Sequence, residues 1–420
     1  MKRSPLLVIL LTVFIDLVGF GIVIPVLPYY LESERFRASP LALGLLFSSY
    51  SVMQLIFSPI LGRWSDRHGR RPVLLVSIIG SGVGFMILGA AETLLMLFVG
   101  RIIAGITGGN ISTAQAYIAD VTTPENRAKG MGMFGAAFGL GFIFGPAIAG
   151  ILSQWGISLP FYFAGALSFA NAALLYFTLP ETVTPDHPAR ATRRGWGYFL
   201  RSLRQTRLAL VVGIYFLFVV AFSIMTTVFA LFTMHRFGYG PADNGYLFAY
   251  IGLLAVVVQG GLIGRLVKRF GELPLVIAGA LLLAVNLLIL PYVGPASGGL
   301  AGLVAVITCF SFGNSFATPS LTSLASRSVG AAEQGGVLGV SQSAASLARA
   351  VGPALGGWLI YSAAAPAPRH VDDRSVAHTF YAAAAIMFAA LLLSLYLRRV
   401  SAEQPAGTDG GPTDAAPNEV

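Results

Sequence analysis

GRWSDRHGRRPVLL, residues 62–75, sets four arginines and one aspartate within the ten residues from Gly62 to Arg71. Roughly twenty uncharged residues lie on each side of it. About 20 mostly apolar residues cross the hydrocarbon of a bilayer as a helix. A charged knot between two such runs therefore reads as the hairpin joining two membrane spans. Gly62 and Gly69 allow close approach or unusual backbone angles, and Pro72 suits the first turn of the next helix. Asp66 can pair with an arginine or sit at a helix N-terminus, where the dipole favours negative charge. A topology signal alone would need the positive charge but not the aspartate or the paired glycines.

Composition agrees with the hairpin. Of 420 residues 55% are hydrophobic and 11% charged, against about 25% charged in soluble domains. Polar residues could not cover so much apolar surface in water. The net charge of +9 would suggest nucleic acid in a soluble chain, but here it falls in the loops between apolar runs. Cys309 is the single cysteine, so no intramolecular disulfide and no multi-cysteine metal cluster is expected.

Further apolar runs lie near 5–30, 41–62, 72–90, 94–118, 130–153 and 160–179, then 208–235, 244–266, 272–292, 298–320, 335–362 and 377–398. With the N-terminus placed in the cytoplasm, 20 of the 27 Lys and Arg fall inside, five outside (Arg35, Arg37, Arg236, Arg369, Arg374) and two within spans (Arg101, Arg349). By the positive-inside rule both termini are then cytoplasmic. The two halves also repeat. GRWSDRHGRRP at 62–72 realigns with GRLVKRFGELP at 264–274, GPAIAGIL at 145–152 with GPALGGWL at 352–359, and Gly109-Asn110 with Gly313-Asn314, at offsets of 202, 207 and 204 residues.

The expected fold is an all-α membrane protein of about twelve transmembrane helices in two pseudo-symmetric six-helix bundles, with a midplane site typical of transporters built from repeats. Its parts are an N-terminal bundle (1–180), a cytoplasmic linker (181–207), a C-terminal bundle (208–400) and a disordered tail (401–420).

An ionisable side chain inside a span is costly and so a functional candidate. Asp16 lies midway along span one, and Arg101 opens the core of span four. If the two spans are neighbours, Arg101 favours the ionised carboxylate while burial favours the neutral acid, which suits a proton-coupling site. A static Asp16–Arg101 pair and direct contact with a cationic substrate are the alternatives. Arg349 in span eleven has no evident acidic partner in its half; it snorkels, bonds backbone carbonyls or meets an anionic substrate.

The amides Gln54, Asn110, Gln115, Gln259, Asn314 and Gln342 suit interhelical hydrogen bonds or a cavity wall. Phe20 and Phe222, with other phenylalanines of spans seven and ten, are candidates for an aromatic pocket. Gly141, Gly145, Pro146 and Gly150 suit either a hinge in span five or close helix packing.

GRWSDRHGRRP resembles the loop-2-3 signature of the major facilitator superfamily. RIIAGITGG (101–109) resembles the fourth-span signature of its proton-coupled members, and GAAFGLGFIFGPAIAGIL (135–152) the fifth-span signature of drug:proton antiporters. DLVGFGIVIPVLPYY (16–30) and ALFTMHRFGYG (230–240) are similar to the bacterial tetracycline exporters. The resemblance implies that Asp66 and Arg70, within the motif of Gly62, Arg67, Gly69 and Arg71, form a cytoplasmic latch. Asp66 would close on the start of span eleven near Gly335 and Gly336. Three polar positions of the tetracycline exporters fall here at Gly84, Ala255 and Leu283.

The expected function is proton-coupled export of amphiphilic drugs or related small molecules by alternating access, in the cell membrane. A carrier of a native metabolite, sugar or lipid, or a receptor that no longer transports, is the rival. No phosphate-binding G-x-x-x-x-G-K-[ST] loop or H-E-x-x-H motif points to an enzyme. No cofactor or metal is expected, the proton gradient being the energy source. The partners are a small-molecule substrate and the lipid bilayer, with no nucleic acid, and the chain is expected to be monomeric.

Overall fold

Inside hydrocarbon no water bonds a peptide N–H or C=O, so a chain that crosses it folds each crossing into a helix. The computed structural model describes residues 5–183, 206–329, 334–363 and 371–403. Most of the expected linker and of the C-terminal tail lie outside the described residues. Among the described residues there are twelve long helices: α1 Pro5–Glu32, α2 Pro40–His68, α3 Arg70–Gly89, α4 Leu94–Val121, α5 Pro124–Ser153, α6 Leu159–Thr178, α7 Thr206–Phe237, α8 Pro241–Phe270, α9 Glu272–Tyr292, α10 Gly299–Arg327, α11 Gln334–Ala363 and α12 Asp373–Glu403.

Eleven of these are long and apolar enough to cross a membrane. The remaining one, α11, has 30 residues, but Ser341, Gln342, Ser343, Ser346 and Arg349 dilute its apolar content. Two expected boundaries move. Helix α12 runs to Glu403, into the segment expected to be tail. Residues 181–183, expected to begin the linker, are held against the start of α3, because Glu181 accepts hydrogen bonds from Arg70 N and Arg71 N.

Local chemistry sets the turns. The Ser39 and Thr93 hydroxyls accept from Ala42 N and Met96 N, capping α2 and α4. Gly69 (φ 103°) and Gly271 (φ 82°) make the one-residue turns α2–α3 and α8–α9. Each sits in the left-handed region that favours glycine, and the two are equivalent under the repeat. Two helices are locally irregular. In α4 a 3₁₀ turn occupies Gly108–Asn110, and in α8 a π turn occupies Val258–Leu262.

Packing repeats between halves. Helix α1 packs on α5 as α7 does on α11; α3 packs on α4 and α6 as α9 does on α10 and α12. Two antiparallel seams join the halves, α2 with α11 and α5 with α8. At the end bearing the α1–α2 and α7–α8 turns both seams are tight. A Cβ on Gly44 or Gly357 would meet the carbonyls of Pro353 and Pro40, and one on Gly245 would come 2.6 Å from the Pro146 carbonyl. Gly150 and Gly252 face Ala242 and Ile143 equally closely, at 2.9 and 2.7 Å.

Toward the arginine-rich end the same seams part. A Cβ at Gly139 still meets Val256, at 3.4 Å, but at Gly132, Gly135, Gly260, Gly261, Gly264 and Gly339 nothing lies within 4 Å. The molecule therefore encloses a cleft closed at one end and open at the end carrying the knot. The closed end is also bridged by hydrogen bonds. Tyr29 Oη of α1 donates to the Tyr239 carbonyl (2.8 Å), Asn244 Nδ2 donates to Tyr29 Oη, and Glu32 of α1 stands 3.6 Å from His235 of α7.

Steric overlap at the tight end gives a direct test. Gly245→Leu is expected to force α5 and α8 apart and expose that end. In a Cys309→Ser background, a cysteine replacing Thr233, which is 0% exposed, should then react with a membrane-impermeant maleimide. Protection equal to that of the Gly245 parent would show that the seam tolerates the side chain.

Candidate functional site

Midway along the cleft the polar side chains of the first bundle converge on Tyr50 of α2. Its ring packs on Phe20 of α1, with centroids 5.4 Å apart, and under the Arg101 guanidinium of α4 at 4.5 Å. Gln54, one turn along α2, donates to the Gly108 carbonyl (2.9 Å) and lies 3.4 Å from Tyr50 Oη. The 3₁₀ turn in α4 makes this arrangement possible. Gly105, Gly108 and Gly109 let α2 approach closely: a Cβ on Gly109 would stand 2.9 Å from the Ser58 backbone. The turn also directs Asn110 toward α1, where Asn110 Nδ2 donates to Asp16 Oδ2 at 3.3 Å.

Asp16 and Arg101 do not pair. Asp16 bonds to Asn110, whereas Arg101, 2% exposed, donates to the Leu46 carbonyl at 3.4 Å and lies over the Phe47 and Tyr50 rings. The nine residues from Arg101 to Asn110 correspond to about 13 Å along a helix, so the two groups meet α1 and α2 at different depths. In place of the alternative of a static pair, the structure has a carboxylate on a neutral amide and a guanidinium on aromatic faces. That face attraction is worth about 2 kcal/mol when desolvated.

The second bundle contributes Arg349 of α11. Its Nη2 donates to Ser346 Oγ at 3.1 Å, and among the described residues no acid lies within ion-pair distance of it. Tyr215 of α7 and Tyr50 of α2 both lie within coulombic range of this guanidinium, and Tyr50 is also within range of Asp16 and Arg101. Arg349 therefore sits where the halves face each other rather than snorkelling to an interface. Phe222 of α7 stacks on Phe310 of α10 at 5.6 Å, and Phe138 on Phe142 of α5 at 5.2 Å, with Phe142 5.7 Å from Phe20.

The other candidates lie apart from this centre. Gln259 is exposed in the π turn, 3.5 Å from Ser315 Oγ, and Asn314 Oδ1 accepts from Thr318 within α10. Gln342 is exposed on α11, and Gln115 is half-buried further along α4. The glycines expected as a hinge divide their work. Gly141 and Gly145 admit Leu17 and Gly21 of α1, while Pro146 and Gly150 meet α8. Helix α5 continues unbroken through Pro146, so close approach accounts for these residues.

At the open end the knot is a closed network within the first bundle. Arg70, its side chain 7% exposed, donates to Asp66 Oδ1 (2.5 Å), Ser65 Oγ (2.7 Å) and Asp120 Oδ2 (3.2 Å). Glu181 accepts from Arg70 N, Arg71 N, Thr182 N and Val183 N at 2.8–3.0 Å. Its charge thereby lies on the positive end of α3. Arg71 donates to the Tyr176 carbonyl and lies over that ring, at 5.1 Å from its centroid. Arg67 is exposed, and Gly62 packs loosely by Ser112. Among the described residues no hydrogen bond or ion pair joins Asp66 to α11, as expected where the arms are apart.

The repeat carries a counterpart of one of these ion pairs with its charges exchanged. In the register that pairs Gly69 with Gly271, Asp66 corresponds to Lys268 and Arg70 to Glu272. Glu272 pairs with Arg327 at the end of α10 (2.6 Å), as Arg70 pairs with Asp120 at the end of α4. Asp120, Glu181, Tyr50 and Tyr215 were not singled out by sequence reading. Only Glu181 carried a signal: an acid directly after span six, available to the bare N-terminus of span three.

Comparison with known proteins agrees with this geometry. The model of the Major Facilitator Superfamily matches residues 9–353 and 303–418. The class D tetracycline resistance protein of Salmonella ordonez is 34% identical over 356 residues, 84% of this chain and 89% of the relative. Multidrug resistance protein 2 of Bacillus subtilis (strain 168) is 32% identical over 372 residues, 85% and 89% of the two chains. Among solved structures, an inward-facing bacterial homologue of the human lysosomal transporter Spinster superposes with a TM-score of 0.77 at 15% identity, over 96% of this chain and 99% of that one.

The Glu181 cap is expected to stabilise the fold. Glu181→Gln should lower stability by about 1–3 kcal/mol, the scale of charge-assisted hydrogen bonds at a helix N-terminus, read as a lower thermal midpoint in detergent. Glu92→Gln, on an exposed turn, should change it by less than about 0.5 kcal/mol. Equal midpoints for the two variants would remove the cap from the account.

Proposed function

We propose that this chain, which belongs to the major facilitator superfamily and is an integral membrane transporter, exports amphiphilic small molecules in exchange for protons. One observation carries the proposal. Asp16 is a carboxylate midway along α1, half-buried and lining a small cavity with Leu74 of α3 and Ile111 of α4, with the neutral Asn110 amide as its hydrogen-bond partner. A carboxylate without a fixed cation can exchange a proton as its surroundings open to water and close again. Arg101, held on Tyr50, keeps its charge without neutralising Asp16.

The placement of Lys and Arg supports a cytoplasmic location for the knot and for both termini. On that reading the cleft opens to the cytoplasm and the Tyr29–Asn244 end faces outside. Amphiphiles would enter from the cytoplasm or inner leaflet and lie against Phe20, Phe142 and the Phe222–Phe310 stack. Closure of the open arms would bring Asp66 to the start of α11 as the latch. Proton uptake at Asp16 from outside would then displace substrate and reset the cleft. The names of the relatives, tetracycline and multidrug resistance proteins, support export of drug-like compounds. The proposed working unit is one chain in a lipid bilayer, powered by the proton gradient without a cofactor.

Liposomes with an imposed pH gradient test this. Wild type should move lipophilic dyes and drugs with the gradient, and Asp16→Asn should lose that dependence. Asp66→Asn should reach normal protein levels yet lose turnover at least tenfold. Equal dye movement with the gradient collapsed would sink the exchange mechanism, and loss of Asp66→Asn protein would reduce the knot to a topology signal.

A further inference from the structure

The last eight residues of α8, Ile263–Phe270, bury none of their side chains, yet their sequence is divided at helical spacing. Ile263, Leu266, Val267 and Phe270 fall on one stripe, and Arg265, Lys268 and Arg269 on another. Ile263, Leu266 and Val267 are half-buried where the segment meets α9 and α10, whereas Phe270 and all three cations are exposed. Arg265 donates to the Gly261 carbonyl of its own helix at 2.9 Å, and Arg269 lies over the Phe270 ring at 5.4 Å. Among the described residues no acid lies within ion-pair distance of any of the three.

The equivalent end of α2 is tied down instead. In the register that pairs Gly69 with Gly271, Val267 corresponds to Ser65 and Lys268 to Asp66. Ser65 is 0% exposed, and both Ser65 and Asp66 accept from Arg70. A topology signal needs only positive charge. The end of α8 also lacks the acid that ties α2, and it follows the π turn Val258–Leu262, an irregularity frequent at functional sites.

The seam with α5 places these cations. Before the π turn, Gly245, Gly252 and Val256 of α8 meet Pro146, Ile143 and Gly139 of α5. The same antiparallel register, carried through the extra residue of the π turn, sets Arg265 and Lys268 opposite the first two turns of α5, where Lys129 is exposed. The seam is parted there, with nothing within 4 Å of a Cβ at Gly260, Gly261 or Gly264. Its mouth therefore carries cations on both arms, at the ends of two spans, where the headgroups of a bilayer lie.

We propose that an anionic phospholipid seats its phosphate on Arg265 and Lys268 at the mouth of the α5–α8 seam, with its acyl chains against the exposed Leu262 of the same arm. Arginine and lysine both favour phosphate oxygens, and each cation near an anionic headgroup is worth about fivefold in affinity. A soluble anion would meet the charges but not the apolar residues beside them. The headgroup also stands between like charges that would otherwise resist convergence of the two arms. This site goes beyond the export reading and is independent of proton exchange.

The test uses the full chain in phosphatidylcholine nanodiscs, in a Cys309→Ser background, with a bimane label on Gly264→Cys, where a side chain has open space. Quenching by phosphatidylglycerol carrying a doxyl group on one acyl chain is titrated against quenching by the same label on phosphatidylcholine. Phosphatidylglycerol should be preferred about twenty-five-fold, two cations at about fivefold each. Arg265→Gln with Lys268→Gln should bring the preference to within about threefold of unity, while Arg265→Lys with Lys268→Arg should keep most of it, which loss of fold would not allow. Arg398→Gln with Arg399→Gln, the same charge loss on the exposed end of α12, should change it by less than about twofold.

Equal losses in the two glutamine pairs, or a parent without the preference, overturn the assignment, because diffuse attraction to any basic helix end would then suffice. Loss of the preference in inorganic phosphate, beyond that in chloride at equal ionic strength, also overturns it and gives these cations to a soluble anion. Nanodiscs impose no gradient, so neither outcome bears on proton-coupled export.

Discussion

The close approach of backbones at glycine and proline holds the two halves of this transporter together, and the rest of the geometry follows from where that approach stops. Between helices in lipid there is no hydrophobic driving force, so small residues that let one backbone reach van der Waals distance of another decide which faces meet. Gly44 against Pro353, Gly357 against Pro40 and Gly245 against Pro146 place that approach near one end. Past Gly139 and Val256 the partners are too far apart to touch. A molecule tight at one end and parted at the other is a clamp, and the central side chains lie near its fulcrum.

Charge placement obeys the same geometry. Arg70 is nearly sealed but supplied with three acceptors, Asp66, Ser65 and Asp120, which offset the cost of its burial. Arg101 is sealed and supplied by a carbonyl and two ring faces. Asp16 and Arg349 differ from these because each has a single neutral partner. Arg70 and Arg101 are thus satisfied within their own bundle, whereas Asp16, beside a small cavity walled by α1, α3 and α4, and Arg349 keep donor or acceptor capacity to spare. That difference separates charges whose role in the fold is accounted for from those whose burial the fold alone does not explain.

Much of this was legible in the sequence because lipid makes helices compulsory and charge marks their ends. The spans, the knot, the repeat and the isolated Asp16 all follow from where polar residues interrupt apolar runs. What was not legible depends on depth and rotation. Whether Asp16 and Arg101 meet could not be read from their both lying in spans, and the 3₁₀ turn at Gly108–Asn110 delivers an asparagine to Asp16 instead. Tyr50 and Tyr215 carry no pattern that distinguishes them from packing tyrosines, and Asp120 reads as an ordinary span end. Glu181 was assigned to a linker because proline follows soon after it, although the N-terminus of α3 claims it. Span eleven was read at 335–362 with the other apolar runs, and its helix forms there, although its polar residues dilute the signal that marks the other eleven.

The exchanged charges of the two repeats bear on how each hairpin holds together. The ends of α2 and α8 lie on different seams, α2 against α11 and α8 against α5, so the exchanged charges act within each hairpin. Here the first repeat ends α2 with Asp66 and begins α3 with Arg70, while the second ends α8 with Lys268 and begins α9 with Glu272. Each repeat keeps its internal ion pair, Arg70–Asp120 and Glu272–Arg327, so each hairpin stays rigid whichever way the clamp stands. Duplication supplied two equal halves; each hairpin holds an ion pair of opposite polarity while both stay net positive, Arg63, Arg67, Arg70 and Arg71 against Asp66 in the first and Arg265, Lys268 and Arg269 against Glu272 in the second, so the shared excess marks one end of the molecule and the exchanged pairs fix each hairpin separately.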